Sequence, residues 1–274
     1  MHPRVARWNR VHQQGQLWRS EFHPSTIVQP SCPRHRSYGA SVQKLRIDIW
    51  SDIACPWCYI GKRHLEHALA AFDHKDDVEI VWRAFELDPD APKLREAVPN
   101  AERLASKYRV TVEQAHAMME RVIDAGKRAG LDMKLHDSKS GNTFDAHRLL
   151  HWAGTLGKQD AMKERLMRAY QCEGAVISNL DVLAALAADI GLDEREARAV
   201  LESDRYTTDV RGDEQLAREL GISGVPFFVL AGKLGVSGAQ PVETMKLVLD
   251  KAWADRPQLE QVAEGAACGP EGCD

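Results

Sequence analysis

Two cysteines separated by two residues, in the stretch SDIACPWCYIGKRHLEHAL (51–69), constrain this chain more than any other feature. They stand where one kind of apolar pattern gives way to another. Upstream, KLRIDIW (44–50) sets Leu45, Ile47 and Ile49 on one face, the period of a strand. Downstream, Ile60, Leu65, Ala68, Leu69 and Phe72 recur at near-helical spacing. DVEIVWRAFEL (77–87) then alternates again and is rich in β-branched residues, which predicts a second strand. A β-α-β unit opens the folded part, with Cys55 and Cys58 at its first strand-to-helix junction.

That position has chemical consequences. A cysteine at a helix N-terminus meets the positive end of the macrodipole and unpaired backbone N–H groups, and both favour the thiolate. The thiolate is the species that attacks a disulfide. Pro56 suits the first turn, where no N–H donor is needed. Cys58 lies one turn on and faces the same side, so it can resolve a mixed disulfide formed at Cys55. Trp57, between them, is expected to be exposed and to contact substrate. The same spacing also occurs in zinc knuckles, which normally come in twos to supply four ligands. The other close pair, Cys268 and Cys273, has a different spacing, so no metal site is expected. Asp48 and Asp52 flank the strand before the cysteine pair, and a buried acid near a resolving thiol can accept its proton.

After LDPDAP (87–92) the chain becomes helical. Val112, Ala115, Met119, Val122, Ile123 and Gly126 share one helix face, and Asn142 or Thr143 can cap a helix through FDAHRLLHWAGTL. Further helices fit 159–170, 180–190, 193–203 and 207–220. Strands return at VPFFVL (225–230) and KLGVSGA (233–239), joined across AGK as a hairpin. A last helix starts at Pro241, with Met245, Val248, Leu249 and Trp253 on its buried face. The order is β-α-β, helices, β-β-α. The expected divisions are a first half at 45–90, a helical insertion at 91–220, a second half at 221–255 and a flexible tail at 256–274.

The net charge of −4 argues against nucleic acid as a partner, but it hides an asymmetry. Residues 1–44 carry seven Lys or Arg and one acid, Glu21, without sustained periodicity, and read as a disordered basic extension. They lack the apolar core of a secretory signal, and no run approaches the roughly 20 apolar residues that span a bilayer. A chain of this size with no export signal is a poor candidate for a structural disulfide framework, which points to catalytic cysteines and a cytoplasmic location.

The stretches DIWSDIACPWCYIGK, WRAFELDP, NTFDAHRLLHWA, GVPFFVL and VSGAQP, spread over residues 47–241, resemble the DsbA-like thioredoxin-fold oxidoreductases, in particular their FrnE-like branch. The resemblance implies an α/β architecture, a thioredoxin fold with an inserted all-helical domain. It implies a cis Val225–Pro226 bond, with Val225 and Pro226 beside the cysteine pair offering backbone groups to an extended substrate. Asn142 and His147, with Arg148, become candidate cleft residues. The C-x4-C tail is a further part of the match: Cys268 and Cys273 form a candidate second redox pair, separated by a turn-forming Gly-Pro-Glu-Gly. A linker of thirteen residues after Ala254 spans up to ~45 Å, enough to reach the first pair, at an effective concentration of about the mM range. Cys172 shows no partner and reads as structural.

The expected activity is protein thiol–disulfide exchange or isomerisation. It needs no dissociable cofactor, and its partners are protein dithiols or disulfides, with glutathione or another thioredoxin-type protein as co-substrate. Two other classes fit the same architecture. One comprises the kappa-class glutathione transferases and 2-hydroxychromene-2-carboxylate isomerases, which typically have serine at the first cysteine position. The other is a non-catalytic chaperone or binding module. Retention of both Cys55 and Cys58 favours exchange.

Overall fold

The structure, a computed structural model, describes residues 44–93 and 98–256, and the backbone of 268–269 and 272–273. The basic extension at 1–43 and most of the tail lie outside the described residues.

β1 (Leu45–Ser51), α1 (Pro56–Ala70) and β2 (Val78–Ala84) form the opening unit, and β1 and β2 are parallel. β3 (Phe227–Leu230) and β4 (Leu234–Ser237) add antiparallel strands, so the sheet runs β2-β1-β3-β4. The β3–β4 turn spans Ala231 to Lys233, with Ala231 at φ 52° and Gly232 at φ 66°, and Lys233 N donates to Leu230 O at 3.0 Å. α9 (Val242–Ala254) closes the chain against α1. Pro241 is its N-cap rather than its first helical residue.

Strand alternation sorts the core into two layers. Ile47, Ile49, Phe228 and Leu230 face α1 and α9, where Leu65, Ala68, Met245, Leu249 and Ala252 complete a buried cluster. Val248 and Trp253 sit only partly buried at its edge. Trp50, Phe227 and Val229 point the other way, against Ala217 of α8 (Thr207–Glu219) and Ile222. Asp48 shares that second face and pairs with Arg83 at 2.8 Å, as does Asp213 of α8. Asp48 thus pairs across two strands with Arg83, which in turn links the sheet to α8 through Asp213.

Between β2 and β3 the described residues hold α2 (Asn100–Tyr108), α3 (Val112–Arg128), α4 (Phe144–Thr155), α5 (Gln159–Cys172), α6 (Leu180–Asp189), α7 (Glu194–Leu201) and α8. α4 to α7 share a core built on Leu149, Trp152, Leu166, Leu183, Ala187 and Val200. Arg148 is buried there and caps α7, donating to the carbonyls of Val200, Leu201, Ser203 and Arg205. α2 and α3 instead pack Ala101, Ala115, Met119 and Ile123 against Tyr59 and Ile60 of α1. On the α3 face, Val112 is exposed, because it stands in the first helical position next to its cap.

α5 ties the insertion to the sheet. The Gln159 side chain accepts from Trp82 N at 3.0 Å and donates to Trp82 O at 3.1 Å, standing in for a neighbouring strand along β2. Trp82 Nε1 donates to Asp160 at 2.8 Å. Lys62 and Arg63 of α1 pair with Glu164 of α5, and Tyr59 donates to the same carboxylate at 2.7 Å.

Candidate active site at the cysteine pair

Cys55 is the N-cap of α1 and Pro56 its first residue, so the helix starts at the pair itself. The approach is a tight turn in which Cys55 N donates to Asp52 O at 3.2 Å. The Asp52 carboxylate fixes that turn, accepting from Ala54 N at 3.3 Å and from Leu87 N at 2.8 Å. Cys58 N donates to Cys55 O at 3.1 Å, which brings the second thiol round beside the first. Both cysteines are buried.

Val225–Pro226 is cis, and the bond stands across from the helix start: the Cys55 thiol donates to Val225 O at 3.6 Å. This approach depends on Gly61. A Cβ there would lie 3.1 Å from Pro226 Cγ, tighter than an ordinary contact. A glycine inside a helix costs about 1 kcal/mol relative to alanine, and here it lets α1 and the proline loop come together. Gly61 went unremarked in the sequence, although a glycine in a helical run is a signal of close approach.

A cavity of about 350 Å³ opens beside Cys55. Val225, Pro56 and Trp57 border it on the thioredoxin side, and Leu104, Tyr108, Met118, Met119 and Val122 of α2 and α3 form an apolar wall opposite. Arg103 and Lys107 stand at its rim. Trp57 is 45% exposed at its mouth, as its position between the cysteines predicts. Cys58 is not among the residues that line the cavity.

The two candidate cleft residues do not line it either. Asn142 stands one residue before Thr143, the N-cap of α4, where it accepts from Phe144 N at 2.9 Å and reaches Glu86 and Pro89 with its amide. His147 is 1% exposed and sits behind the turn, with Nε2 3.5 Å from Asp52 Oδ1. The helical core closes over the first turns of α4, so Ala146, His147 and Arg148 are buried.

Behind Cys58 lies a polar group that the sequence reading missed. Lys163 of α5 is completely buried, and its Nζ donates to Ser51 O at 3.3 Å and lies 5.3 Å from the centre of the Trp82 ring. Burial pushes the Cys58 thiol well above its ordinary value, and its neighbour Cys55 adds to this; the Lys163 charge and the Asp52 N–H pull the other way. Burial brings the Lys163 ammonium down to about 8 against the opposing pull of Cys58, Asp52 and Cys55. Burial would also raise Asp52, but the bond to His147 and the Leu87 and Ala54 N–H groups outweigh it and hold its carboxyl below the usual value. His147 is pushed down, chiefly by burial. Lys163 carried a faint signal, a cation in register with Leu166, Met167 and Tyr170 on an apolar helix face. Cys172 is half-buried at the end of α5 and packs against the α1–α3 cluster.

A thioredoxin-type sheet, a cysteine pair capping α1 and a cis-proline loop against it place the chain among known proteins. The family model described as "DSBA-like thioredoxin domain" matches residues 46–250. The chain belongs to this family. A probable DsbA oxidoreductase from Streptomyces coelicolor is 44% identical, with a TM-score of 0.76 over 84% of this chain and 98% of that one. The uncharacterised protein YwbO of Bacillus subtilis is 28% identical over 213 residues, 77% of this chain and 96% of YwbO. The cytosolic disulfide reductase DsbM of Pseudomonas aeruginosa, solved with GSH, shares the fold at 18% identity and a TM-score of 0.54, over 77% of this chain and all of that one.

Among the described residues, no group of three or more His, Cys, Asp or Glu is placed to hold a metal ion, and no helix is long and apolar enough to cross a membrane. The backbone of the tail pairs Cys268 with Cys273 across a two-residue antiparallel ladder.

Proposed function

We propose that this member of the DsbA-like family is a thiol–disulfide oxidoreductase that exchanges disulfides with proteins through Cys55 and Cys58. The observation that carries the reading is the position of Cys55: a helix N-cap thiol, open to a cavity and 3.6 Å from the Val225 carbonyl of a cis-proline loop. An extended substrate laid along Val225 and Pro226 brings its sulfur to Cys55. In the reducing direction the Cys55 thiolate attacks a substrate disulfide, and one substrate sulfur leaves as a thiolate. Cys58 then attacks Cys55 in the mixed disulfide, the Cys55–Cys58 bond forms, and the second substrate sulfur departs. The oxidising and isomerising directions use the same steps in reverse or in part. Trp57 at the cavity mouth meets the substrate chain. Cys268 and Cys273, held opposite each other by their ladder, exchange with the first pair as a relay. Glutathione is the co-substrate and the cytoplasm the site of action.

Insulin reduction tests this reading. Wild type accelerates reduction in a thiol buffer, whereas Cys55→Ser falls to the uncatalysed rate. Equal rates for the two would overturn it. A second reading is supported by the apolar wall of Leu104, Met118, Met119 and Val122 beside Cys55, which suits a small apolar molecule. Glutathione conjugation or isomerase turnover that persists in Cys55→Ser would favour this glutathione-dependent transferase or isomerase class.

A further inference from the structure

The exchange steps use the cavity beside Cys55 but not the strip of surface that leads away from it. A second cavity, of about 1260 Å³, adjoins the first. The two share Leu87, Asp88, Asn100, Arg103, Lys107 and Ser138 among their walls, so one trough runs outward from the cysteine. Its outer part exceeds the ~300–1,000 Å³ of an ordinary small-molecule site. Eight large apolar side chains are exposed among the described residues, and four of them, Trp57, Leu87, Val98 and Tyr108, line the trough. Exposed apolar groups gathered at one place mark a surface that another molecule covers.

α2 puts charge on the same strip. Arg103 and Lys107 stand one helical turn apart, and each lines both cavities. Like charges at that spacing repel. Arg103 is held in place: its Nε and Nη2 donate to Asn100 Oδ1 at 3.2 and 2.7 Å, and Asn100 is anchored in turn by donating to Leu135 O at 2.7 Å. Neither cation forms an ion pair among the described residues. The acids around the trough stand differently. Asp52 is buried and held in the turn before Cys55. Asp88 lines both cavities but is not free. Glu102 and Asp137 line only the outer cavity, where Lys93 and Lys139 also stand. The wall that the cavities share therefore carries two cations and one acid.

The geometry points to this strip as a specificity site for the exchange activity proposed above, on which it rests: Arg103 and Lys107 take an acidic side chain of an extended, unfolded substrate chain, a few residues from the cysteine that meets Cys55. Two to four residues of extended chain, at ~3.3 Å each, cross a cavity the size of the one beside Cys55. The apolar side chains along the trough cover neighbouring residues of the substrate, and the outer cavity carries the chain onward. A carboxylate between Arg103 and Lys107 relieves their repulsion. Charge matching of this kind selects partners more than it adds raw affinity. Bonds form and break only at sulfur, and the strip decides which chains arrive.

The test uses the full chain and peptides that each hold one intrachain disulfide, with Glu, Gln or Lys a few residues beyond a cysteine on either side. Dithiothreitol regenerates the protein, and the ratio of kcat/KM between peptides is compared from variant to variant, so that intrinsic sulfur reactivity cancels. Wild type prefers the Glu peptide over the Lys peptide by about tenfold at low salt, through KM rather than kcat, and the Gln peptide falls between. The preference shrinks to about twofold in about 0.5 M salt. Lys107→Glu, at an exposed position, brings the ratio to about one or inverts it, and Arg103→Gln lowers it in part. A Glu peptide with both cysteines replaced by serine inhibits wild type about tenfold more strongly than its Lys counterpart. Equal kcat/KM for the Glu and Lys peptides in wild type would overturn the proposal, as would a preference that Lys107→Glu leaves in place. Turnover of glutathione disulfide that falls in Lys107→Glu while the peptide ratio holds would assign the strip to a small thiol and overturn it too. A wild type that reduces no peptide faster than dithiothreitol alone contradicts the exchange activity itself, whereas an active wild type without charge preference contradicts the strip alone.

Discussion

Cys55 and Cys58 are one helical turn apart in a single chain segment, yet their surroundings differ in every respect that matters for thiol chemistry. Cys55 stands at the helix end, faces a cavity walled by α2 and α3, and touches the proline loop. Cys58 is buried and does not line the cavity; burial pushes its thiol up, while the Lys163 charge and the Asp52 N–H pull the other way. The difference shows how one fold divides labour between identical side chains. The thioredoxin halves present Cys55, while the insertion supplies both the apolar wall of the cavity on one side and the buried Lys163 and His147 on the other.

The strongest way to break this comparison is to remove one sulfur at a time. Cys58→Ser accumulates a mixed disulfide at Cys55 when given a substrate disulfide, because nothing resolves it. Cys55→Ser forms no such adduct and loses exchange entirely; gel shift and mass spectrometry read both. An adduct on Cys58 in the second variant would reverse the assignment. A smaller effect is expected at Gly61. Valine there forces α1 and the Pro226 loop apart from a contact that a Cβ alone would make at 3.1 Å. Misplacing the substrate strand by a few tenths of an ångström lowers kcat/KM for exchange by about tenfold, with the equilibrium between dithiol and disulfide nearly unmoved.

Acid sensitivity sharpens the inward side. His147 binds its proton less readily in the folded chain than in the unfolded one, so acid favours unfolding as pH falls below its ordinary value of 6.5. Asp52 acts lower down: its carboxyl is depressed in the fold, so its contribution is full above the ordinary value of 3.8 and is lost as pH falls through the folded value. His147→Gln removes the upper part of this loss. The urea midpoint of wild type should therefore fall more between pH 7.5 and 5.5 than that of the variant. Equal falls would show that His147 does not titrate in this way. The smallest effect belongs to the outer wall. Thr111 and Gln114 form a capping box at the start of α3. Thr111→Ala costs about 1 kcal/mol of stability and leaves thiol alkylation rates at both cysteines unchanged.

The sequence made the scaffold legible because its signals are local. Alternation in 44–50 and helical spacing after Cys58 need no partner to be read, and α4 to α8 begin and end close to where their caps and glycines suggest. α2 was harder: it buries small residues, Asn100, Ala101 and Ala105, and so shows little apolar stripe. The site was legible along one segment and opaque across segments. Cys55, Cys58, Pro226 and the exposed Trp57 announce themselves by type and spacing. Asp52 was recognisable only as a candidate, since alternation does not carry past the end of β1. Lys163 and His147 act where α5 and α4 cross beneath the turn, a meeting that 105 residues of chain separate from Cys58 in the case of Lys163. Gly61 is meaningful only against Pro226, far along the chain.

The contrast between the two thiols is best tested by their alkylation rates in the reduced protein at pH 7, each followed by mass spectrometry of its own peptide under limiting iodoacetamide. The thiolate is the reactive form, and Cys58 is both screened from the cavity and held as a thiol by burial. Cys55 should therefore react at least about tenfold faster than Cys58. Equal rates, or faster labelling of Cys58, would contradict the division of roles between the two sulfurs.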